Sequence, residues 1–98
     1  MSWEVSQDQK FLTQISELRA NYPEIDRLTA IMRWSAGGSA DDGRVFVPTR
    51  ADPSIRSCDT VPLPGRHALK YFIRIVPPAT CIFIHVCEFP QPQNPVGY

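Results

Sequence analysis

No apolar run in this chain approaches the ~20 residues that a membrane-spanning helix needs; the longest, over 71–89, is broken by Arg74, Pro77, Pro78 and His85. The opening Met-Ser-Trp-Glu-Val lacks a basic stretch followed by an apolar one, so no secretory leader is expected. No Gly-x-Ser-x-Gly elbow is present, and Gly37-Gly38 and Gly43 lack the Gly-Lys-Ser/Thr ending of a phosphate loop. A dinucleotide fingerprint and internal repeats are also missing. Cysteine is limited to Cys58, Cys81 and Cys87. An odd count without a leader predicts reduced thiols and a cytoplasmic protein. Cys81 and Cys87 lie in one strand-like run about 20 Å apart and cannot bond each other. What is present is 43% hydrophobic and 20% charged residues in 98, which excludes a disordered chain and fits one domain over 1–98.

Net charge is zero, but lysine is scarce: two against eight arginines. Residues 1–42 carry four bases and seven acids. Residues 43–75 reverse the sign, with Arg44, Arg50, Arg56, Arg66, Lys70 and Arg74 against Asp52 and Asp59. A basic segment on a neutral chain makes a local anion-binding surface, and arginine suits phosphate or carboxylate because its planar fork binds them through two N–H groups.

Hydrophobic spacing supplies the elements. Trp3 to Val5 reads as a short strand, and Ser6 with Gln9 as a capping box. Phe11, Ile15, Leu18 and Tyr22 recur at helical spacing, predicting a helix over 7–21. Pro23 suits the first turn of a second helix, over 23–35, with Ile25, Leu28, Ile31 and Met32 on one face and Gly37-Gly38 as its stop. Residues 44–47 read as a short strand and 48–64, with four prolines, as an irregular loop. Over 69–76, Leu69, Tyr71, Ile73 and Ile75 alternate with Lys70, Phe72, Arg74 and Val76. Over 81–89, strict alternation places Cys81, Phe83, His85, Cys87 and Phe89 together. The last two runs form an antiparallel hairpin, and the Pro-rich 90–98 reads as an extended tail. The expected fold is α+β: an N-terminal helical hairpin on one face of a three- to four-stranded antiparallel sheet, in the order β-α-α-β-β-β.

Cys81, His85 and Cys87 fall on one predicted strand face, but without the two-residue knuckle of structural zinc or a visible fourth ligand. No metal and no cofactor are expected, and buried thiols serve as small apolar fillers. The cations are more informative. Arg66, Lys70 and Arg74 are separated by even numbers, so they project from one side of one strand, and His85 lies on the neighbouring strand. The register decides whether His85 shares that face. If it does, cations stand beside a group titrating near about 6.5, a combination suited to cleaving a phosphodiester next to a ribose 2′-hydroxyl. The plain alternative is a hydrogen-bonded sheet histidine among solvated arginines.

The order of elements resembles the RelE/ParE superfamily of small bacterial toxins. The residues that carry the resemblance are Trp3-Glu-Val5 with Phe11, Ile15 and Leu18, then Leu63-Pro-Gly65-Arg66-His67-Ala-Leu69-Lys70-Tyr71-Phe-Ile73, then Cys81-Ile-Phe-Ile-His85-Val-Cys87. The resemblance implies metal-independent cleavage of mRNA at the ribosome, neutralised by a protein antitoxin; ParE-type relatives inhibit gyrase instead. It implies catalytic roles for His85, Arg74 and Lys70 and substrate binding by Arg66, His67 and Arg56. Phe89 and Pro90 stand where members often carry a functional Tyr or His, and the zero net charge departs from a usual basic toxin. The reading from another class is a non-catalytic binding module, a form that admits a homodimer, using the open sheet face for a protein or small-molecule partner.

Overall fold

The computed structural model describes residues 2–60 and 67–90, with the side chains of His67, Phe89 and Pro90 outside that description. The elements are β1 (Glu4–Gln7), α1 (Gln9–Leu18), α2 (Ile25–Ser39), β2 (Val47–Pro48), β3 (Ile55–Asp59), β4 (His67–Val76) and β5 (Thr80–Pro90). They form an α+β fold in which both helices pack on a five-stranded open sheet of order β1-β5-β4-β3-β2. The expected purely antiparallel sheet of three or four strands is corrected in both respects. β1 runs parallel to β5, and β3 forms inside the segment expected to be irregular. The tail over 91–98 lies outside the described residues.

α1 turns its apolar stripe inward through Phe11 and Ile15, and α2 through Ile25, Leu28, Met32 and Ala36. They meet Leu69, Tyr71, Ile73, Cys81, Phe83 and Val86 from the sheet. Phe11, Tyr71 and Phe83 form an aromatic triad, with Phe83 5.3 Å from Phe11 and edge-on to Tyr71 at 6.1 Å. The Tyr71 hydroxyl, carried into this core, is satisfied by Thr29 Oγ1 at 2.9 Å, as a buried polar group must be.

Two local expectations fail for physical reasons. Ser6 is not the cap of α1, because it lies in β1 opposite Ile82. Asp8 caps instead, its Oδ1 accepting from Phe11 N–H at 2.8 Å. Asp8→Ala is therefore expected to cost about 1 kcal/mol of stability, read as a lower urea midpoint with an unchanged slope. Gly37-Gly38 does not stop α2, which runs on to Ser39. Ala36 and Ala40 are fully buried around the glycines, and Trp3 N–H donates to Gly37 O at 2.7 Å. Packing thus outweighs the roughly 1 kcal/mol helix penalty of each glycine.

The register of β4 on β5 positions the face of interest. Tyr71 pairs with Val86 and Phe72 with His85, but Ile73 pairs with Phe83, so Ile84 is an extra, unpaired residue. This bulge re-aims the strand by one step. Cys81 and Phe83 point to the helices, whereas His85 and Cys87 share a face with Phe72 and Lys70. The expected common face of Cys81, His85 and Cys87 is thereby broken.

Candidate functional site: the open sheet face

Residues paired across a sheet project to the same side. Lys70 opposes Asp59 and Cys87, Phe72 opposes Ser57 and His85, and Arg74 opposes Ile55 and Ile82. The face turned away from the helices therefore carries Lys70, Arg74 and His85 together, around a central Phe72. The His85 ring lies 5.4 Å from that of Phe72.

The cations lean toward β3. Lys70 Nζ is 3.3 Å from Asp59, and Arg74 is 3.6 Å from an Asp52 carboxylate oxygen, in the loop before β3. Asp52 is held by the Ser54 hydroxyl and backbone N–H, which, with Arg74, keep its carboxyl below the usual carboxylate range. Arg74 and Asp52 are each 45% exposed, so this pair contributes at most about 1 kcal/mol and yields to a competing anion.

His85 leans the other way, toward the outer edge of β5. It lines a groove of about 320 Å³ with Gln14, Glu17, Leu18, Cys87 and Glu88. Its Nδ1 is 2.7 Å from Gln14 Nε2. Burial, and secondarily Lys10, hold its pKa below 6.5. At the end of the groove the Tyr22 hydroxyl donates to the Glu88 carboxylate; burial and this bond push the phenol up to about 12. Burial also raises the three thiols, all of them free, so none supplies a thiolate at neutral pH.

The His85 shift has a definite sign. Between the folded and unfolded pKa values the unfolded chain binds more protons, so stability rises with pH there. His85 thus imposes no penalty above about 6.5 and weakens the fold as pH falls below it. His85→Gln is expected to flatten the fall in stability below about pH 6.5, measured by urea titrations at a series of decreasing pH values.

The other candidates separate. Arg56 opposes Ile73 on the helix-facing side, and its Nη1 donates to Ala40 O at 3.1 Å. It caps the C-terminal end of α2, where a cation is favoured, and does not join Lys70 and Arg74. Arg66 and the side chain of His67 lie outside the described residues. Sequence reasoning missed Gln14, Asp52 and Asp59. Gln14 sits at the rim of the α1 stripe, three residues after Phe11 and next to Ile15, a spacing that could have marked it as half-buried.

Among the described residues no helix is long and apolar enough to cross a membrane, and no group of three ligating side chains is placed to hold a metal. No protein-family model, curated protein or solved structure matches this chain.

Proposed function

We propose that this protein is a RelE-like toxin, a metal-independent endoribonuclease that acts on mRNA at the ribosome and is neutralised by a protein antitoxin. The observation that carries the reading is the register that sets Lys70, Arg74 and His85 on one face of the sheet, with the cations on the β3 side of Phe72 and His85 on its β5 side. Lys70 and Arg74 draw the RNA phosphate over Phe72, exchanging their aspartates for it. As the ribose 2′-oxygen attacks phosphorus and the bond to the 5′ oxygen breaks, negative charge grows on the phosphoryl oxygens. The two cations stabilise it electrostatically. His85 contributes from its Nε2 side, since Nδ1 is engaged by Gln14. Water takes the 2′ proton and supplies the one that the leaving oxygen needs.

The test is a reconstituted translation reaction programmed with an end-labelled message. The purified chain is expected to produce ribosome-dependent breaks that end in a cyclic phosphate, and its expression alone is expected to arrest bacterial growth. An intact message together with unaffected growth would refute the nuclease and leave the face to a non-catalytic binding role.

A further inference from the structure

β1 covers the outer edge of β5 only as far as Phe83, because their pairing ends with Gln7 opposite that residue. Asp8 N–H closes the junction on Phe83 O at 3.1 Å, and α1 then passes the uncovered edge. Phe11 and Ile15 dip into the core, which leaves Gln14 partly buried at the rim, beside the stretch that follows the bulge. There the Gln14 side chain spans two groups. Its Oε1 accepts from Val86 N–H at 2.8 Å, and its Nε2 lies 2.7 Å from His85 Nδ1.

The chemistry of the three groups permits one arrangement. A backbone N–H only donates, so the amide atom facing Val86 is the oxygen. The atom left to face the ring is the amide nitrogen, which only donates, so Nδ1 must be the acceptor. A neutral imidazole accepting at Nδ1 carries its proton on Nε2. Protonating Nδ1 would set two donors against each other.

We infer that Gln14 is the positioning residue of His85, locking the imidazole as its Nε2–H tautomer so that Nε2 is a hydrogen-bond donor and not a base. That this donor serves an RNA phosphate rests on the function proposed above; the tautomer itself does not.

Other charged and titratable groups surround the ring from each neighbouring element. Lys10 and Glu17 come from α1, Cys87 and Glu88 from β5, and Lys70 from β4 opposite Cys87. Tyr22, between the helices, is bonded to Glu88. Burial and Lys10 act in the same direction as the Gln14 amide, against the imidazolium. Exchanging the Gln14 amide for a carboxylate would place an anion at contact distance from the ring and should tip the balance toward the imidazolium.

The experiment is long-range ¹H–¹⁵N spectroscopy of the histidine rings in the full chain, with His85 assigned by comparison with His85→Gln. At pH 7.5 the wild-type ring is expected to show a protonated Nε2 and a bare Nδ1. In Gln14→Glu one carboxylate oxygen still accepts from Val86 while the other faces Nδ1 and favours a proton there. The His85 midpoint should then rise by about 1 to 3 pH units, the usual effect of a carboxylate at contact distance. In Gln14→Met both bonds are lost, and the ring should relax to the mixed tautomers of a solvated histidine. A wild-type ring with its proton on Nδ1, or variants whose ring titrates and tautomerises as in wild type, would overturn the inference. Neither readout involves RNA, so this result and that of the cleavage assay stand or fall separately.

Discussion

Replacing Phe83 with alanine is expected to cost about 3 to 5 kcal/mol, the largest loss of stability from any single substitution considered in this fold. The ring is fully buried and touches both other members of the aromatic triad, with centroids 5.3 Å from Phe11 and 6.1 Å from Tyr71. It sits on β5, which lies between β1 and β4, directly beneath α1. Truncation removes apolar burial and opens a cavity that three elements would have to move together to close, so little of the loss is recovered by relaxation. A domain of this length holds about 5 to 15 kcal/mol in total, and each kilocalorie moves its melting midpoint by roughly 4 to 8 °C. Melting should therefore fall by at least about 12 °C. Trp34, on the outer side of α2 and 83% exposed, is the control: Trp34→Ala should stay within about 0.5 kcal/mol of wild type. A Phe83→Ala midpoint close to that of Trp34→Ala would mean that the helices do not pack on β5 as described.

The helices and the last hairpin are legible in the sequence because their apolar and polar positions differ sharply. In α1, Phe11 and Ile15 stand out against Lys10, Gln14 and Glu17, and the stripe fixes which face is buried. β4 has the same clarity, with Lys70 and Arg74 marking the outer side. β5 does not. From Cys81 to Cys87 nearly every residue is apolar, so alternation offers no mark at which a bulge would reveal itself. The step at Ile84 is set by how the strand meets Phe72 and Ile73. β3 is hidden for the opposite reason. Ile55-Arg-Ser-Cys-Asp59 has little β-forming character of its own, and it becomes a strand by pairing with β4. Without that strand no parity could be assigned to Arg56, which is why it is grouped with the substrate-binding cations in the sequence and lies on the opposite face in the fold. The candidate site is legible as a set of charges on β4 and one imidazole on β5. Its counter-ions and the Gln14 clamp are long-range pairings that no local pattern encodes.

The largest functional effect is expected from Arg74. If the helix-free face cleaves RNA, Arg74→Ala should lower the rate in the reconstituted reaction by about 10²- to 10³-fold, the usual consequence of removing one preorganised donor from a developing oxyanion. Lys70→Ala should act in the same direction with a smaller effect, because an ammonium offers a point charge where a guanidinium offers a planar fork. Neither change should disturb the fold by more than about 1 kcal/mol, since both side chains are partly exposed and their ion pairs are screened by water. Asp52→Asn separates steering from chemistry. It frees Arg74 from its counter-ion and leaves every cation in place, so RNA binding should tighten at low salt and the gain should fade as salt rises. Arg74→Lys keeps the charge and loses the fork; a rate between those of wild type and Arg74→Ala is expected. If Arg74→Ala cuts RNA as fast as wild type while remaining folded, the charges on β4 are ordinary solvated residues and the nuclease reading fails at its central residue.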